Sequence, residues 1–378
     1  MSRGKSPPLL PVRVGLLGGG QLARMLILKG HQMGLSMKVL CASKDEPAAQ
    51  VTPHVVLGDP KNAKDVLAFA NHVDLLTFES EFYDGAMLAE VAEQTSVRIF
   101  PSPRVLSQLQ DRLTQKAALF DLKVPTAPFM RIETADDVFL ATEAFENKFV
   151  LKKRKGGYDG YGTIIVKSES DLQKAHGILE SSKDFWIAEA FVPFQRELAV
   201  QLARTPDGEV AVFPMVETHQ VDQRLDWLTG PVQKKGSELF LRKLTKFMKS
   251  IDYVGVMAFE LFEAKGQLLV NEIAPRVHNS GHATLEACTV DQFTQHLRAV
   301  LNLSLEKPLP VSKGFALVNL IGQGGSQPRF PRGFQSHLHW YGKQECRKGR
   351  KMGHLTITGD SGKKCLQQLL RERKACQL

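Results

Sequence analysis

The 378-residue sequence predicts two or three packed domains, a parallel α/β unit followed by an antiparallel α+β region. Two observations carry this fold class. Over residues 12–110 short apolar runs alternate with amphipathic stretches, the pattern of a parallel sheet with helices on both faces. Beyond residue 149 the strand-like runs become close neighbours in sequence, as antiparallel strands joined by short turns do.

Taken in order, residues 1–11 carry Arg3 and Lys5 but no apolar run of signal-peptide type, and are expected to form a disordered lead. Residues 12–17 read as a strand, Gly18-Gly19-Gly20 as a turn, and residues 21–29 as a helix. Further strands are expected at 38–41, 55–57, 74–78 and 98–100, with helices at 63–70 and 87–94, so the first domain spans 12–110. A helix over 112–122 is stopped by Pro125 and Pro128. After a helix at 135–145, strands at 149–153 and 163–166 flank a glycine-rich loop. Strands at 186–189, 197–203, 210–216, 255–262 and 268–273 complete a domain expected over 111–310. A β-rich piece with a basic tail, 311–378, has short strands near 316–321, 337–341 and 354–357.

No apolar run approaches the roughly 20 residues that span a bilayer, so no membrane association is expected. Five cysteines, scattered and without CxxC spacing, argue against a disulfide framework or a zinc site and fit a reducing cytoplasm. Net charge is +9, and from Lys343 onward ten Lys/Arg against three Asp/Glu supply +7 of it. Nucleic acid, a solvated surface and a phosphorylated small substrate would all suit such a tail. It lacks interleaved aromatics for base stacking, so no nucleic-acid partner is expected.

Four groups of residues carry chemistry. Gly18-x-Gly20-x-x-Ala23 follows a strand as a dinucleotide fingerprint would, yet no carboxylate follows the second strand until Asp45. A nicotinamide site is therefore unsupported, while a turn offering N–H groups to another phosphate or carboxylate stays open. In Lys152-Lys153-Arg154-Lys155-Gly156-Gly157-Tyr158-Asp159-Gly160-Tyr161-Gly162, cations lead into four glycines, more than a plain hairpin needs. Such a loop lets backbone approach polyphosphate oxygens while the cations offset their charge. Glu260 and Glu272 interrupt apolar strands joined by Lys265-Gly266, and with Asn271 would make an oxygen site suited to magnesium. The alternative is two acids on an exposed sheet face. Finally, Arg276, His278, Asn279 and Ser280 offer donors to an anion beside that site. His278 and His282 could also be read as a zinc pair, but Pro275 and Gly281 spoil the helix it requires.

With these motifs the chain resembles the ATP-grasp enzymes, and within them the 5-(carboxyamino)imidazole ribonucleotide synthases, from about residue 12 to 357. The resemblance rests on GGGQLARM (18–25), DRLTQK (111–116), GGYDGYG (156–162), NEIAPRVHNSGH (271–282) and HLHWYGKQECRKGRKMGH (337–354). It implies an ATP-grasp fold with a biotin-carboxylase-like N-terminal domain and a small β-rich C-terminal domain. ATP would be held by Arg112, Lys152, Gly157, Tyr158, Asp159, Gly160, Tyr161, Gly162, Thr163, the hinge Glu189, Ala190, Phe191 and Val192, then Glu197, His219, Asn271 and Glu272. Glu260 and Glu272 match the magnesium acids. Tyr158, Asp159, Arg276, His278, Asn279, Ser280, Lys343 and Arg350 match the bicarbonate and ribonucleotide sites. Three departures stand out. Tyr161 sits where a basic residue is usual, the segment before His219 is one residue short, and Ser80 and Phe82 replace a usual Phe and Asn.

The resemblance implies that bicarbonate attacks the γ-phosphate of ATP and that the resulting carboxyphosphate yields CO2, which the amine of aminoimidazole ribonucleotide captures. Lys152, Arg276 and Asp159 are the residues expected to carry this, Asp159 by orienting the amine or taking its proton. A homodimer through the N-terminal domain is also implied. The rivals are another ATP-grasp ligase, such as a formate-using purine enzyme or a biotin carboxylase, and an ATP-binding subunit without turnover.

Overall fold

The computed structural model describes residues 12–157, 161–325 and 328–377. The expected lead 1–11 and loop residues Tyr158, Asp159 and Gly160 lie outside the described residues. The first unit runs β1 (Arg13–Leu17), α1 (Gln21–Gln32), β2 (Ser36–Cys41), β3 (Val55–Leu57), α2 (Ala63–Ala70), β4 (Leu75–Phe78), α3 (Gly85–Gln94), β5 (Arg98–Ile99) and α4 (Pro103–Gln110). Its five strands are parallel, in the order β3-β2-β1-β4-β5. Alternate residues of β1 serve opposite faces. Leu16 packs into the core beneath α1, and Leu17 into the core beneath α2 and α3. Ser102 accepts from the Val105 N–H and Pro103 opens α4, so the helix starts with its cap and its first residue both favourable.

The glycine turn after β1 is occupied by the chain itself. Glu79, at the end of β4, accepts hydrogen bonds from the N–H groups of Gly20 (2.5 Å) and Ala23 (3.2 Å) at the start of α1. A Cβ on Gly20 would lie 2.4 Å from that carboxylate, so only glycine admits it. Two of the N–H groups this turn offers are thus taken by a carboxylate of the chain itself.

Next come α5 (Arg112–Asp121), β6 (Phe129–Ile132), α6 (Asp137–Ala144), β7 (Phe149–Lys153), β8 (Thr163–Val166), α7 (Glu169–Ser181) and β9 (Trp186–Ala190). The strands form an antiparallel sheet, β6-β9-β7-β8. The remainder is β10 (Arg196–Arg204), β11 (Val210–Val212), β12 (Val216–Val221), β13 (Arg224–Gly230), α8 (Ser237–Ser250), β14 (Gly255–Ala264), β15 (Gln267–Ala274), α9 (Thr284–Ala287), α10 (Gln292–Val300), β16 (Gly314–Ile321), β17 (His337–Trp340), β18 (Lys351–Gly359) and α11 (Gly362–Ala375). All of these strands join one nine-stranded sheet, β15-β14-β10-β12-β13-β16-β18-β17, with β11 against β10.

Among the differences from the sequence reading, which include the unanticipated β6, α7, α8 and α10, three bear on the nine-stranded sheet. The strand expected over 210–216 is two strands, because Pro214 between them has no N–H for a ladder. The strand β13, unanticipated, links the C-terminal strands to the rest by pairing with β16. The end of the basic tail is the helix α11, whose Cys365 and Leu369 enter the core under β16 and β18. Its Lys363, Lys364, Arg371 and Lys374 face solvent, and Arg373 instead binds Asp226 at 2.5 Å. All five cysteines are free. No helix of the described residues is long and apolar enough to cross a membrane.

Candidate active site

The two antiparallel sheets meet across a cleft, and several of the residues singled out in the sequence line it. On the large sheet, β14 and β15 form a hairpin in which Glu260 is the direct cross-strand partner of Glu272. The register then slips so that Leu261 pairs with Val270, leaving Asn271 as the extra residue of a bulge. The bulge turns Asn271 and Glu272 together toward the cleft, an arrangement strict alternation forbids. One step along the sheet, Glu197 of β10 pairs with Phe262, and Phe262 with Leu269, giving a floor with a carboxylate at one side.

From the small sheet, Lys152 of β7 reaches across to Asn271 Oδ1 at 3.0 Å and to Glu189 Oε2 of β9 at 3.2 Å. Lys116 of α5, 1% exposed, touches the same Glu189 oxygen at 3.0 Å. Burial alone would raise the Glu189 carboxyl. Lys116 and then Lys152 outweigh it and hold the group below the usual carboxylate range. Arg112, first residue of α5 and capped by Asp111, binds Glu272 Oε1 at 2.5 Å and the Lys153 carbonyl at 2.9 Å. The glycine-rich loop passes so close that a Cβ on Gly157 would stand 2.7 Å from Arg112 Nη1. Tyr161 is exposed and lies under the Lys153 ammonium, 5.0 Å from its ring centroid. The hinge residues Ala190, Phe191 and Val192 line an apolar pocket of about 260 Å³ with Pro128, Ala264 and Leu269.

Electrostatics distinguish the two carboxylates. Burial, then Glu272 and Glu197, push the Glu260 carboxyl up to about 7, against relief from Lys351 and Lys152. Glu272 is paired with Arg112, whereas Glu260 has His278 nearby, with Nε2 at 3.7 Å. The Ser280 N–H donates to His278 Nδ1 at 3.3 Å, so the proton of a neutral ring sits on Nε2, facing Glu260. Burial, followed by Arg276 and Lys351, keeps that ring neutral by pulling its pKa well below the ordinary value.

The loop after β15 is anchored on every side. Arg276 grips both oxygens of Glu81 from the N-terminal unit and donates to the Val277 carbonyl. Among the described residues, three of its five N–H groups are thereby used and two are left. Gln292 of α10 accepts from the His278 N–H at 2.9 Å and donates to the His278 carbonyl at 2.7 Å. Asn279 exchanges two side-chain hydrogen bonds with Asn319 of β16, and Gln201 of β10 donates to Ser280 at 2.9 Å. Lys343 donates to the Lys351 carbonyl at 2.6 Å, and Arg350 to that of Glu345 at 3.2 Å.

The cleft therefore unites Arg112, Lys152, Gly157, Glu189, Glu197, Glu260, Asn271 and Glu272, with the 276–280 loop alongside. His219 is set apart. Thr218, not His219, is the partner of Glu197, so His219 points to the opposite face and stacks on Trp227 with centroids 4.9 Å apart. Sequence reading missed Lys116, Glu81 and Lys351. The last acts electrostatically on Glu260, His278 and His282, and it lies within the quoted 337–354 motif, one residue beyond Arg350. Glu260 and Glu272 share the single cation of Arg112, and the upward push on the Glu260 carboxyl marks a crowded pair whose ionised form a divalent cation would stabilise. Among the described residues no group of three or more His, Cys, Asp or Glu could hold a metal, so a cation here would take its further oxygens from water and a bound phosphate.

Three family descriptions match successive stretches of the chain. They are the ribonucleotide synthetase preATP-grasp domain over 12–110, the ATP-grasp domain over 117–293 and the phosphoribosylaminoimidazole carboxylase C-terminal domain over 316–368. The N5-carboxyaminoimidazole ribonucleotide synthase of Synechococcus elongatus is 39% identical over 357 residues, 91% of this chain and 89% of that one. That of Staphylococcus aureus is 31% identical, covering 91% and 92%. The solved N5-carboxyaminoimidazole ribonucleotide synthetase of Thermus thermophilus shares 35% identity, with TM-score 0.86 over 96% of this chain and 98% of that one. An Aspergillus clavatus synthase in complex with ADP and 5-aminoimidazole ribonucleotide gives 0.86 at 30% identity, with the same coverage.

Proposed function

The chain belongs to the N5-carboxyaminoimidazole ribonucleotide synthase family of ATP-grasp enzymes, and we infer from that membership how its cleft works. It is an ATP-dependent ligase of purine biosynthesis that carboxylates 5-aminoimidazole ribonucleotide with bicarbonate, giving the carboxyamino product, ADP and phosphate. The observation that carries the site assignment is the Lys152–Asn271 bridge, which closes the small sheet over the Glu260–Glu272 pair directly beside the Arg276 loop.

ATP would lie with its base in the pocket of Ala190, Phe191 and Val192, its ribose near Glu197 and its phosphates at Lys152, Arg112 and the 157–163 loop. Magnesium, which Glu260 and Glu272 would hold, would supply positive charge to offset that of the phosphates. The two unused N–H groups of Arg276 suit bicarbonate, whose oxygen attacks the γ-phosphorus while ADP leaves. Loss of phosphate from carboxyphosphate frees CO2 in a closed site, where water would otherwise hydrolyse the intermediate. The exocyclic amine then forms the new C–N bond and gives up a proton, for which Asp159 is the acceptor on this reading. His278, Asn279, Ser280, Lys343 and Arg350 would hold the ribonucleotide. A cytoplasmic homodimer completes the proposal. The reaction consists of positioning and charge neutralisation, as phosphoryl transfer generally does. The test is phosphate release with ATP and bicarbonate, with and without 5-aminoimidazole ribonucleotide. Acceleration by the ribonucleotide together with carboxylated product is expected; equal rates and no product would overturn the reading.

A further inference from the structure

Two lysines share a single carboxylate oxygen inside this cleft, and only one of them can reach a ligand. Glu189 Oε2 accepts from Lys152 Nζ at 3.2 Å and from Lys116 Nζ at 3.0 Å. Lys116 is further fixed by Thr126, whose hydroxyl accepts from it at 2.8 Å and itself donates to the Val270 carbonyl at 2.7 Å. The Lys116 side chain is 1% exposed, against 13% for Lys152, and so has no route to a phosphate. The other Glu189 oxygen, Oε1, is buried with no partner among the described residues, so the carboxylate is not oversupplied with donors.

A carboxylate beside Lys152 alone would form a neutral buried pair, and a polyphosphate would then have to break it. With Lys116 on the same oxygen the cluster carries one net positive charge, at the Lys152 end that faces the cleft. We propose that Lys116 is a positioning residue for nucleotide polyphosphate. It takes up the Glu189 charge so that the Lys152 ammonium stays free for the phosphates of ATP. Burial, opposed by Glu189, lowers the Lys116 pKa, as expected of an ammonium enclosed by β7, β9 and β15. The charged groups facing it are Glu189 of β9, Lys152 of β7 and Glu272 of β15.

The inference rests on the nucleotide-site reading and separates from it experimentally, because it compares ATP with adenosine among variants of a protein that binds ATP. If the wild type binds no ATP at all, the site reading itself fails. The measurement is titration of ATP and of adenosine, without bicarbonate, into wild type, Lys116→Met, Lys116→Arg and Lys116→Met/Glu189→Gln. The expected result is ATP binding weakened about ten- to a hundredfold in Lys116→Met, the scale of one charge-assisted contact, with adenosine binding unmoved. Lys116→Arg keeps ATP binding, and the double variant regains part of what Lys116→Met lost, since removing the carboxylate also frees Lys152. Equal losses for ATP and adenosine, or no recovery in the double variant, overturn the proposal. If Lys116→Met does not fold, the pH profile decides. ATP affinity of the wild type should fall toward alkaline pH before that of Lys116→Arg, whose guanidinium keeps its proton. Coincident profiles overturn the proposal.

Discussion

Acid should loosen the seam between the N-terminal sheet and the large sheet, and His296 sets by how much. This residue of α10 is 1% exposed, with Nε2 2.9 Å from Thr77 Oγ1 on β4 and Nδ1 accepting from the Val256 N–H on β14 at 3.1 Å. Nδ1 therefore carries no proton and Nε2–H points at Thr77. Burial pushes the pKa of the ring down to about 4. The ordinary value of about 6.5 applies to the unfolded chain, which thus takes up the proton first as pH falls. Stability contributed by the neutral ring is complete above about pH 6.5 and is lost as pH falls toward 4. A gap of that size corresponds to roughly 3 kcal/mol in all, of which about 2 kcal/mol is lost between pH 7 and pH 5. The assay is denaturant unfolding of wild type and His296→Gln at both pH values. At pH 7 the variant should be less stable by about 1 kcal/mol or more, for imperfectly replaced hydrogen bonds. The wild type should then lose about 2 kcal/mol more than the variant on going to pH 5. His278, His282 and His354, each with a lowered pKa, are common to both proteins and cancel in the difference. Equal pH-dependent losses would refute the reasoning.

Glu272→Gln should reduce turnover to background with the circular dichroism spectrum unchanged, since the amide keeps the shape but loses the charge opposite Arg112 and beside Glu260; near wild-type rates at saturating magnesium would rule Glu272 out as a metal ligand. Arg350→Ala should raise the KM for the ribonucleotide about ten- to a hundredfold while the KM for ATP stays put. Parallel rises in both would mean that Arg350 acts through folding. Glu81→Gln leaves the Arg276 guanidinium without its carboxylate, so the protein should lose about 2 kcal/mol or more in denaturant unfolding. An unchanged midpoint would show that the pair contributes nothing to holding the two units together.

The parallel sheet was legible because its central strands β1 and β4 are almost wholly buried and read as short apolar runs, so each announces itself locally. The Glu260–Glu272 pair was legible for the opposite reason, as charges interrupting apolar strands. What could not be read depends on partners far along the chain. Nothing in Arg224–Gly230 says that it will pair with a strand about ninety residues on. The bulge that aims Asn271 is a property of two strands in register, not of either one. Glu81 and Lys116 look like surface charges in sequence, and only the fold reveals that one faces Arg276 and the other Glu189. The departure at Tyr161 was visible, whereas its contact with Lys153 was not, because the two meet only across the turn of the loop. Those misses share one physical cause. Burial of a charge is decided by tertiary neighbours, and local pattern carries no record of them.

Because β13 and β16 are hydrogen-bonded neighbours within a single ladder, the C-terminal strands act as the seal on a sheet rather than as an appendage. A chain cut before Gly314 would keep every residue proposed above to hold ATP, yet expose N–H and C=O groups along Trp227, Leu228, Thr229 and Gly230. Such a raw edge is a template for another copy of the same strand. Truncation from that end should therefore produce aggregates, not a smaller nucleotide-binding protein, and recombinant dissection of the fold has to keep residues 314–321 attached or supply them as a separate strand.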